Sequence, residues 1–197
     1  MKYLVHLRPP IAFSNRVDVF RERIIGYITG IPGQILHCTL MAPYAKKEDE
    51  EEILWGLDNI RGEPFDIETG RMELFDKSSL VIRMKEHPGL IDLHQKVIDS
   101  LNGFVDHDET PGLDRAYADD EQRVAVYNQY GSPYYGEFFN PHMTIAAVNP
   151  LIIRPGLFDE GLFAGRRWIV DSFYISRKEG GGWKTVRRFL LDPTTQI

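Results

Sequence analysis

The chain has 197 residues, of which 43% are hydrophobic and 26% are charged, and its formal net charge is −6 at pH 7. This is the composition of a globular protein that is long enough to bury a substantial core. The net negative charge argues against a protein that coats nucleic acids without sequence preference, because such binding depends on many Lys and Arg contacts to phosphates. A small or terminal phosphate substrate remains compatible with it.

The N-terminus and the cysteine content predict a cytoplasmic protein without membrane association. The first eight residues, MKYLVHLR, lack the apolar core and cleavage site of a signal peptide. No later stretch approaches the roughly 20 apolar residues of a membrane span. The single cysteine, Cys38, excludes an internal disulfide, which agrees with a reducing compartment.

Strand and helix patterns alternate through the first half of the chain. Strands are predicted from apolar and β-branched runs, helices from apolar residues at helical spacing, and the Pro32-Gly33 pair marks a break. In chain order we predict a strand at 2–8, a helix at 15–29, a strand at 36–40, a helix at 46–60, strands at 64–76 and 79–86 around a turn near Asp76, and a helix at 88–102.

The stretch 104–139 changes character, and we interpret it as a long loop or insertion. It is acidic and polar up to Glu121, favours a short strand at 124–127, and then carries several aromatic residues. Long loops in compact proteins are often functional, and their aromatic rings can stack on a base or sugar. A hydrophobic loop that folds back on the core is the equal alternative.

The end of the chain predicts a β-hairpin. Residues 156–165 are expected to be irregular, and strands at 168–177 and 183–190 would turn at the glycines 180–182.

Two short segments of the chain are almost alike: 36–40 (LHCTL) and 141–145 (PHMTI). Each places a histidine two residues before a threonine in an apolar run. Successive side chains of a strand point to opposite faces, so histidine and threonine share one face and the apolar residues share the other. The polar residues are His37 and Thr39 in the first segment and His142 and Thr144 in the second.

The order of elements and the motif in each half predict an α+β fold of two similar lobes, with the motif strands facing each other across a central cleft. No Gly/Ser-rich or Pro-rich linker separates the halves. We therefore expect residues 1–197 to form a single bilobal domain.

Two histidines at a common cleft can divide acid and base work, because imidazole titrates near neutral pH. Threonine hydroxyls on the same face can donate hydrogen bonds to phosphoryl oxygens, where charge accumulates in the transition state. This combination can split or form a phosphodiester without a metal ion.

The segments His37-Cys38-Thr39-Leu40 and His142-Met143-Thr144-Ile145 resemble the paired signatures of the 2H phosphoesterase superfamily, which includes 2′-5′ RNA ligases and cyclic phosphodiesterases. The resemblance implies antiparallel sheets flanked by helices, with internal pseudo-twofold symmetry. It also implies that His37 and His142 are the acid/base pair, that Thr39 and Thr144 hold the phosphate, and that no metal or other cofactor is needed.

The chain departs from this resemblance in two places. Many relatives carry an arginine shortly after the second motif, where this chain has Ala146-Ala147-Val148, and the stretch 104–139 is longer than expected. The substrate therefore stays open among cyclic phosphates of RNA ends, small nucleotides and 2′-5′ oligonucleotides.

We expect a metal-independent phosphodiesterase acting on 2′,3′-cyclic phosphates or on 2′-5′-linked nucleotide or RNA ends, with RNA ligation as the reverse reaction. Tyr130 and Tyr134 from the aromatic stretch, and Arg8 from the polar face of the first strand, are the expected substrate contacts. We expect a monomer without an obligate protein partner.

Two other functions compete with this expectation. One is a non-catalytic module that binds a nucleotide or RNA end in the same cleft. The other is a metal-dependent hydrolase, for which His107 between Asp106 and Asp108 is the candidate site, although the spacing matches no strong ligand pattern. His94 lies on the apolar stripe of its helix and is expected to be a hydrogen-bonded core residue.

Overall fold

The computed structural model describes residues 1–31, 35–76, 78–113, 117–149, 151 and 158–191. The predicted break at Pro32-Gly33, part of the turn after Asp76 and part of 156–165 therefore lie outside the described residues. Within the described ranges the elements are β1 (Tyr3–Leu7), α1 (Ile11–Arg23), β2 (Ile28–Gly30), β3 (Cys38–Met41), α2 (Glu50–Asp58), β4 (Phe65–Phe75), β5 (Ser79–Met84), α3 (Pro88–Leu101), α4 (Glu121–Tyr130), β6 (His142–Val148), β7 (Arg167–Val170), β8 (Ser172–Glu179) and β9 (Gly182–Leu190).

The strands form one curled antiparallel sheet in the order β7-β4-β5-β6-β3-β1-β8-β9, and β2 also pairs with β6. The order divides into two four-stranded halves, β7-β4-β5-β6 and β3-β1-β8-β9. The motif strands β3 and β6 are the innermost strand of each half, and they join the halves through the pair Cys38 and Met143. The predicted α+β fold with two similar antiparallel halves is confirmed.

The motif strands differ from the prediction in one respect, because they lie side by side rather than facing each other across a cleft. Their apolar faces enter the core that the sheet shares with the helices. Cys38 and Met143 are almost completely buried there, as are Val17 of α1 and Val97 of α3.

Helix α1 begins four residues before the predicted start and ends six residues before the predicted end. It starts directly after Pro9 and Pro10, which is where proline is tolerated because the first turn needs no internal N–H partner. It stops at Arg23 because Ile28, which the helical spacing had included, begins β2 and pairs with Val148. The pairing of β2 with β6 therefore decided where α1 ends, against the helical spacing of the apolar residues.

The strand predicted at 124–127 is wrong, because these residues lie inside helix α4. The Asp120 side chain caps this helix by accepting the Arg123 N–H at 3.1 Å, and Gly131 ends it with φ of 74°. An aspartate N-cap and a glycine C-cap are standard helix signals.

The strand predicted at 168–177 divides at Asp171 into β7 and β8. β7 pairs with β4 in one half of the sheet, and β8 pairs with β1 in the other. The division thus marks the crossing of the chain between the halves. The predicted hairpin follows, with Gly180 and Gly181 in the left-handed region that its turn requires.

Within the ranges that the structure describes, no helix has the length and apolarity needed to cross a membrane.

Candidate active site

Four polar side chains of the two motifs lie together on the face of β3 and β6 that points away from the core. Because Cys38 pairs with Met143 in antiparallel register, His37 lies across from Thr144 and Thr39 lies across from His142. Each histidine is therefore the neighbour of the other motif's threonine. We call this group the His/Thr tetrad; its members are half-buried.

The two histidines make the same hydrogen bond to the backbone. Nδ1 of His37 lies 2.7 Å from the carbonyl oxygen of Ile35, and Nδ1 of His142 lies 2.7 Å from that of Asn140. A carbonyl oxygen only accepts, so each Nδ1 carries the proton and the neutral ring keeps its lone pair on Nε2. Neither Nε2 has a hydrogen-bond partner among the residues that the structure describes, which leaves both available for proton transfer.

The protein lowers the pKa of both tetrad histidines below 6.5. Burial is the main cause in each case, and the bond to the backbone carbonyl opposes it. His142 and Arg8 lower the pKa of His37 further. Arg83 acts on His142 in the same direction, whereas Asp76 and Glu73 oppose it. Asp76 and Glu73 thus raise the pKa of His142, so the two histidines differ in their electrostatic surroundings.

A third histidine, His6, lies on the neighbouring strand β1 and packs against the His37 ring. It pairs with Thr39 in the β1–β3 register, is 1% exposed, and contacts the His37 ring edge-on at 5.3 Å. Its Nε2 lies 3.0 Å from the Ser176 hydroxyl. Burial, with the charges of His37 and Arg8, lowers its pKa to about 3, so His6 is neutral at physiological pH.

An aromatic ring and an arginine flank His142 from β4 and β5. Phe75 stacks on the His142 ring at 4.7 Å between centroids, and Arg83 pairs with His142 in the β5–β6 register. The Arg83 guanidinium lies 5.7 Å from the Phe75 ring and binds the Glu73 carboxylate. Shortly after the second motif the chain has Ala146-Ala147-Val148, and Arg83 brings a cation beside His142 from the next strand.

Arg8 has the matching position beside His37. Leu7 pairs with Cys38, so the next residue, Arg8, comes alongside His37. Its guanidinium lies over the Tyr174 ring at 4.3 Å and donates to the Thr185 hydroxyl. One arginine therefore lies beside each histidine.

Two cavities lie near the tetrad: one is lined by Thr39 and His142, and the other by Arg8 and the two residues that precede His37. The tyrosine pocket, of about 260 Å³, lies at the Thr39 and His142 end, and its other lining residues include Phe75, Tyr134, Tyr135 and Phe139. The arginine groove, of about 520 Å³, lies at the His37 end, and its lining includes Arg8, Ile35, Leu36, Trp168, Tyr174 and Arg188.

The structure brings two of the three predicted substrate contacts to these cavities. Tyr134 lines the tyrosine pocket, where its hydroxyl lies 3.0 Å from the Asp76 carboxylate, and Arg8 lines the arginine groove. Tyr130 lines neither, because it ends α4 and packs against the core. Phe75, Arg83 and Tyr174 were not predicted as site residues, since their only local signal was a place in a predicted strand.

His94 and His107 lie outside the tetrad. His94 is buried, and its Nδ1 lies 2.8 Å from the Leu40 carbonyl oxygen, as expected of a hydrogen-bonded core residue. His107 is exposed, and the neighbouring Asp106 carboxylate accepts the N–H groups of Asp108 and Glu109 in a turn. In the described part of the chain no three His, Cys, Asp or Glu side chains are grouped to hold a metal ion.

A family model described as the 2′-5′ RNA ligase superfamily matches residues 9–182, which is more than half of the chain. The chain belongs to this superfamily. The resemblance to the 2H phosphoesterases that the two motifs predicted is thereby confirmed. No curated protein sequence matches the chain.

Solved structures support the same fold for this 2′-5′ RNA ligase superfamily member. The protein TT0787 of Thermus thermophilus is similar with a TM-score of 0.68 and 16% identity, over 97% of this chain and 98% of that one. Escherichia coli LigT complexed with 3′-AMP gives a TM-score of 0.60 and 16% identity over 96% of each chain. LigT complexed with ATP gives 0.64 and 14%, over 96% of this chain and 97% of that one. At these identities the likeness concerns the fold.

Proposed function

We propose that this protein is a metal-independent phosphodiesterase that acts on 2′,3′-cyclic phosphates or 2′-5′-linked nucleotide or RNA ends. The observation that carries the proposal is the tetrad itself. Two histidines, whose Nε2 atoms have no hydrogen-bond partner among the described residues, each lie across from the threonine of the other motif. This arrangement offers a proton acceptor, a proton donor and two hydrogen-bond donors around one small volume.

For a 2′,3′-cyclic phosphate, one neutral imidazole takes a proton from water as the water oxygen attacks phosphorus. The bond from phosphorus to one ribose oxygen breaks, and the imidazolium of the other histidine protonates that oxygen. Thr39 and Thr144 donate hydrogen bonds to the phosphoryl oxygens as negative charge builds there. A 5′-hydroxyl that replaces water would give ligation, with the same proton transfers and no nucleoside triphosphate.

The cavities support a nucleotide as the ligand. Tyr134 and Phe75 offer ring surface to a base or ribose beside His142, and Arg8 offers positive charge to the phosphate beside His37. LigT, which shares the fold, forms complexes with 3′-AMP and ATP. Tyr134 and Arg8 are proposed as substrate contacts from the cavities that they line, whereas Tyr130, which packs against the core at the end of α4, is proposed from the sequence alone.

The remaining expectations belong to the same proposal. The catalysis needs no metal or other cofactor, since the histidines supply both proton transfers. The protein works as a monomer in the cytoplasm, where the lone cysteine, Cys38, stays reduced and buried. We also propose that the chain forms one bilobal domain, an expectation supported by the pairing of the two motif strands.

Turnover of nucleoside 2′,3′-cyclic phosphates, and of an RNA ending in one, tests the proposal in excess chelator. We expect cleavage by the wild type and at least about a hundredfold lower kcat in His37→Ala and His142→Ala, the usual size of one acid or base contribution. His107→Ala is the matched control, because His107 is exposed in a loop outside the tetrad.

Other outcomes would count against the proposal. Full activity in both tetrad variants would exclude the acid/base pair. Loss of activity in chelator, restored by a divalent metal, would favour the metal-dependent hydrolase. Nucleotide binding without turnover of any substrate would favour the non-catalytic module.

A further inference from the structure

Asp76 connects the end of β4 to two tyrosines that lie on either side of α4 in the chain. Its carboxylate lies 3.0 Å from the hydroxyl of Tyr134 and 3.3 Å from that of Tyr117, and the two hydroxyls lie 3.0 Å apart. A carboxylate only accepts hydrogen bonds, so Asp76 accepts from both tyrosines, or from one that accepts from the other. We call these three residues the tyrosine clamp.

The backbone of Asp76 has an unfavourable conformation. Its φ of 49° lies in the left-handed region, which aspartate adopts at a cost that glycine avoids. Strained residues persist where the surrounding structure fixes them, and they are often found at functional sites. The hydrogen bonds to Tyr117 and Tyr134 fix the Asp76 side chain in this position.

The clamp reaches the candidate active site through Tyr134. The Tyr134 ring lines the tyrosine pocket and lies 5.7 Å from the ring of Phe75, which stacks on His142. Asp76 directly follows Phe75 in the chain but does not line the pocket. Burial, with the hydrogen bonds to Tyr117 and Asp76, raises the pKa of Tyr134, so its hydroxyl keeps the proton that it donates. The ring is therefore the part of Tyr134 that the pocket presents to a ligand.

Arg123 of α4 holds the neighbouring parts of the same segment together. Its guanidinium lies 4.3 Å from the Phe138 ring and 4.9 Å from the Tyr117 ring, and it donates a hydrogen bond to the Pro133 carbonyl oxygen at 3.1 Å. The residues before and after α4 are thus connected to each other, and the clamp adds their hydrogen bonds to the end of β4.

We propose that Asp76 is a positioning residue of the active site, which fixes the Tyr134 ring as a wall of the tyrosine pocket through its hydrogen bonds to the two tyrosines. The inference rests on the proposed function, because that function places a nucleotide in this pocket beside His142. With the clamp intact, the ring is in place before the nucleotide binds. With the clamp broken, only a fraction of the molecules hold the ring in the binding position, and the apparent affinity falls by that fraction.

A comparison of Asp76→Gly with Asp76→Asn isolates the hydrogen bonds of the clamp. Glycine suits the left-handed backbone and removes the acceptor. Asparagine tolerates the same backbone, and its amide can accept from one hydroxyl and donate to the other. Both variants lose the negative charge that, with Glu73, raises the pKa of His142. Neither the turn nor the charge can therefore explain a difference between them.

We expect Asp76→Gly to raise KM for adenosine 2′,3′-cyclic phosphate about fivefold above the Asp76→Asn value, a modest effect because water competes for the exposed carboxylate. The kcat values of the two variants should agree within about twofold, since the wall binds substrate and transition state alike. Tyr117 lies outside the pocket lining. Tyr117→Phe should raise KM in the wild type and have no further effect in Asp76→Gly, because the two residues share one interaction.

Tyr127→Phe is the matched control. Tyr127 lies in α4, and its hydroxyl donates to the Pro111 carbonyl oxygen at 2.8 Å rather than to the clamp. The variant should leave KM unchanged. Equal KM values in Asp76→Gly and Asp76→Asn, or a rise of KM in Tyr127→Phe as large as that in Asp76→Gly, would overturn the inference and leave the phosphodiesterase standing.

Amide hydrogen exchange separates the inference from the proposed function, because it needs no substrate. The amides of residues 121–139 should exchange about fivefold faster in Asp76→Gly than in Asp76→Asn, whereas those of α1 should exchange equally in both variants. Equal exchange of residues 121–139 in the two variants would also overturn the inference. Faster exchange in a protein that cleaves no cyclic phosphate would retain the clamp and count against the reaction. If there is neither cleavage nor a difference in exchange, both fail.

Discussion

Each tetrad histidine is held in one tautomer by the chain two residues before it. The carbonyl groups of Ile35 and Asn140 accept the Nδ1 protons, so both Nε2 atoms are presented without help from a carboxylate. Burial keeps the pKa of both rings below 6.5. In the proposed reaction, two histidines with such similar environments are suited to exchange the roles of general acid and general base when the direction of the reaction is reversed.

These pKa directions predict where the proposed reaction is fastest. The free protein must hold one histidine protonated and the other neutral, so kcat/KM should be greatest between the two apparent pKa values of the pair. Because both pKa values are lowered, this maximum should lie below pH 6.5 and the rate should fall by up to about tenfold per pH unit above it. A pH profile of kcat/KM on a nucleoside 2′,3′-cyclic phosphate measures it. A maximum above about pH 7 would contradict the assignment.

Among the elements, helix α3 is hydrogen-bonded to the motif strand β3 through a buried histidine, His94. Nδ1 of His94 donates to the Leu40 carbonyl of β3, and Nε2 accepts the Gly136 N–H at 3.2 Å. The ring also stacks on Phe139 at 3.7 Å between centroids. His94 thereby fixes both β3 and the aromatic segment that forms the wall of the tyrosine pocket.

Protonation of His94 should weaken the fold. Burial lowers its pKa from 6.5 to about 4, so between these values the unfolded chain binds a proton that the folded chain does not. The stabilisation from this group is therefore complete above pH 6.5 and is lost as the pH falls towards 4, at up to about 1.4 kcal/mol per pH unit.

Urea unfolding at several pH values, in wild type and His94→Gln, measures this contribution. The variant should be less stable at pH 7 and should show a shallower fall of unfolding free energy between about pH 6.5 and 4. Parallel pH dependences in the two proteins would show that His94 does not titrate in this way. His6, whose pKa is lowered to about 3, remains in both and cancels in the comparison.

For the whole molecule, the pairing of β3 with β6 has two effects. It joins the two halves of the sheet, and it brings the tetrad residues together. The tetrad exists only when both halves are folded and in register. The helices and both halves of the sheet share one hydrophobic core. We therefore predict that the proposed single domain unfolds in one cooperative transition.

Fluorescence can report the two halves separately. Trp168 lies on β7 in one half and Trp183 lies on β9 in the other. Both variants are made in a Trp55→Phe background, because the exposed Trp55 of α2 also fluoresces. The Trp168→Phe and Trp183→Phe variants, each unfolded in urea and also followed by circular dichroism, should give coincident curves within each protein. Separate midpoints for the fluorescence and circular dichroism signals would show that the halves unfold independently.

Local sequence signals were enough to predict several elements. Strands β1, β4 and β5, helix α3 and the closing hairpin follow from apolar spacing and turn residues, and the predicted bounds of α3, 88–102, lie within one residue of the observed ones. The repeated His-x-Thr pattern selected the tetrad from residue types alone. Its catalytic role stays a prediction.

Features that depend on pairing between distant residues could not be predicted from local patterns. The end of α1 was set by the pairing of β2 with β6, and the division between β7 and β8 by strands in opposite halves. The same holds for the position of each histidine across from the other motif's threonine, and for Phe75 and Arg83 beside His142. A local pattern records which face a side chain occupies, whereas register and strand order depend on the energy of the whole sheet.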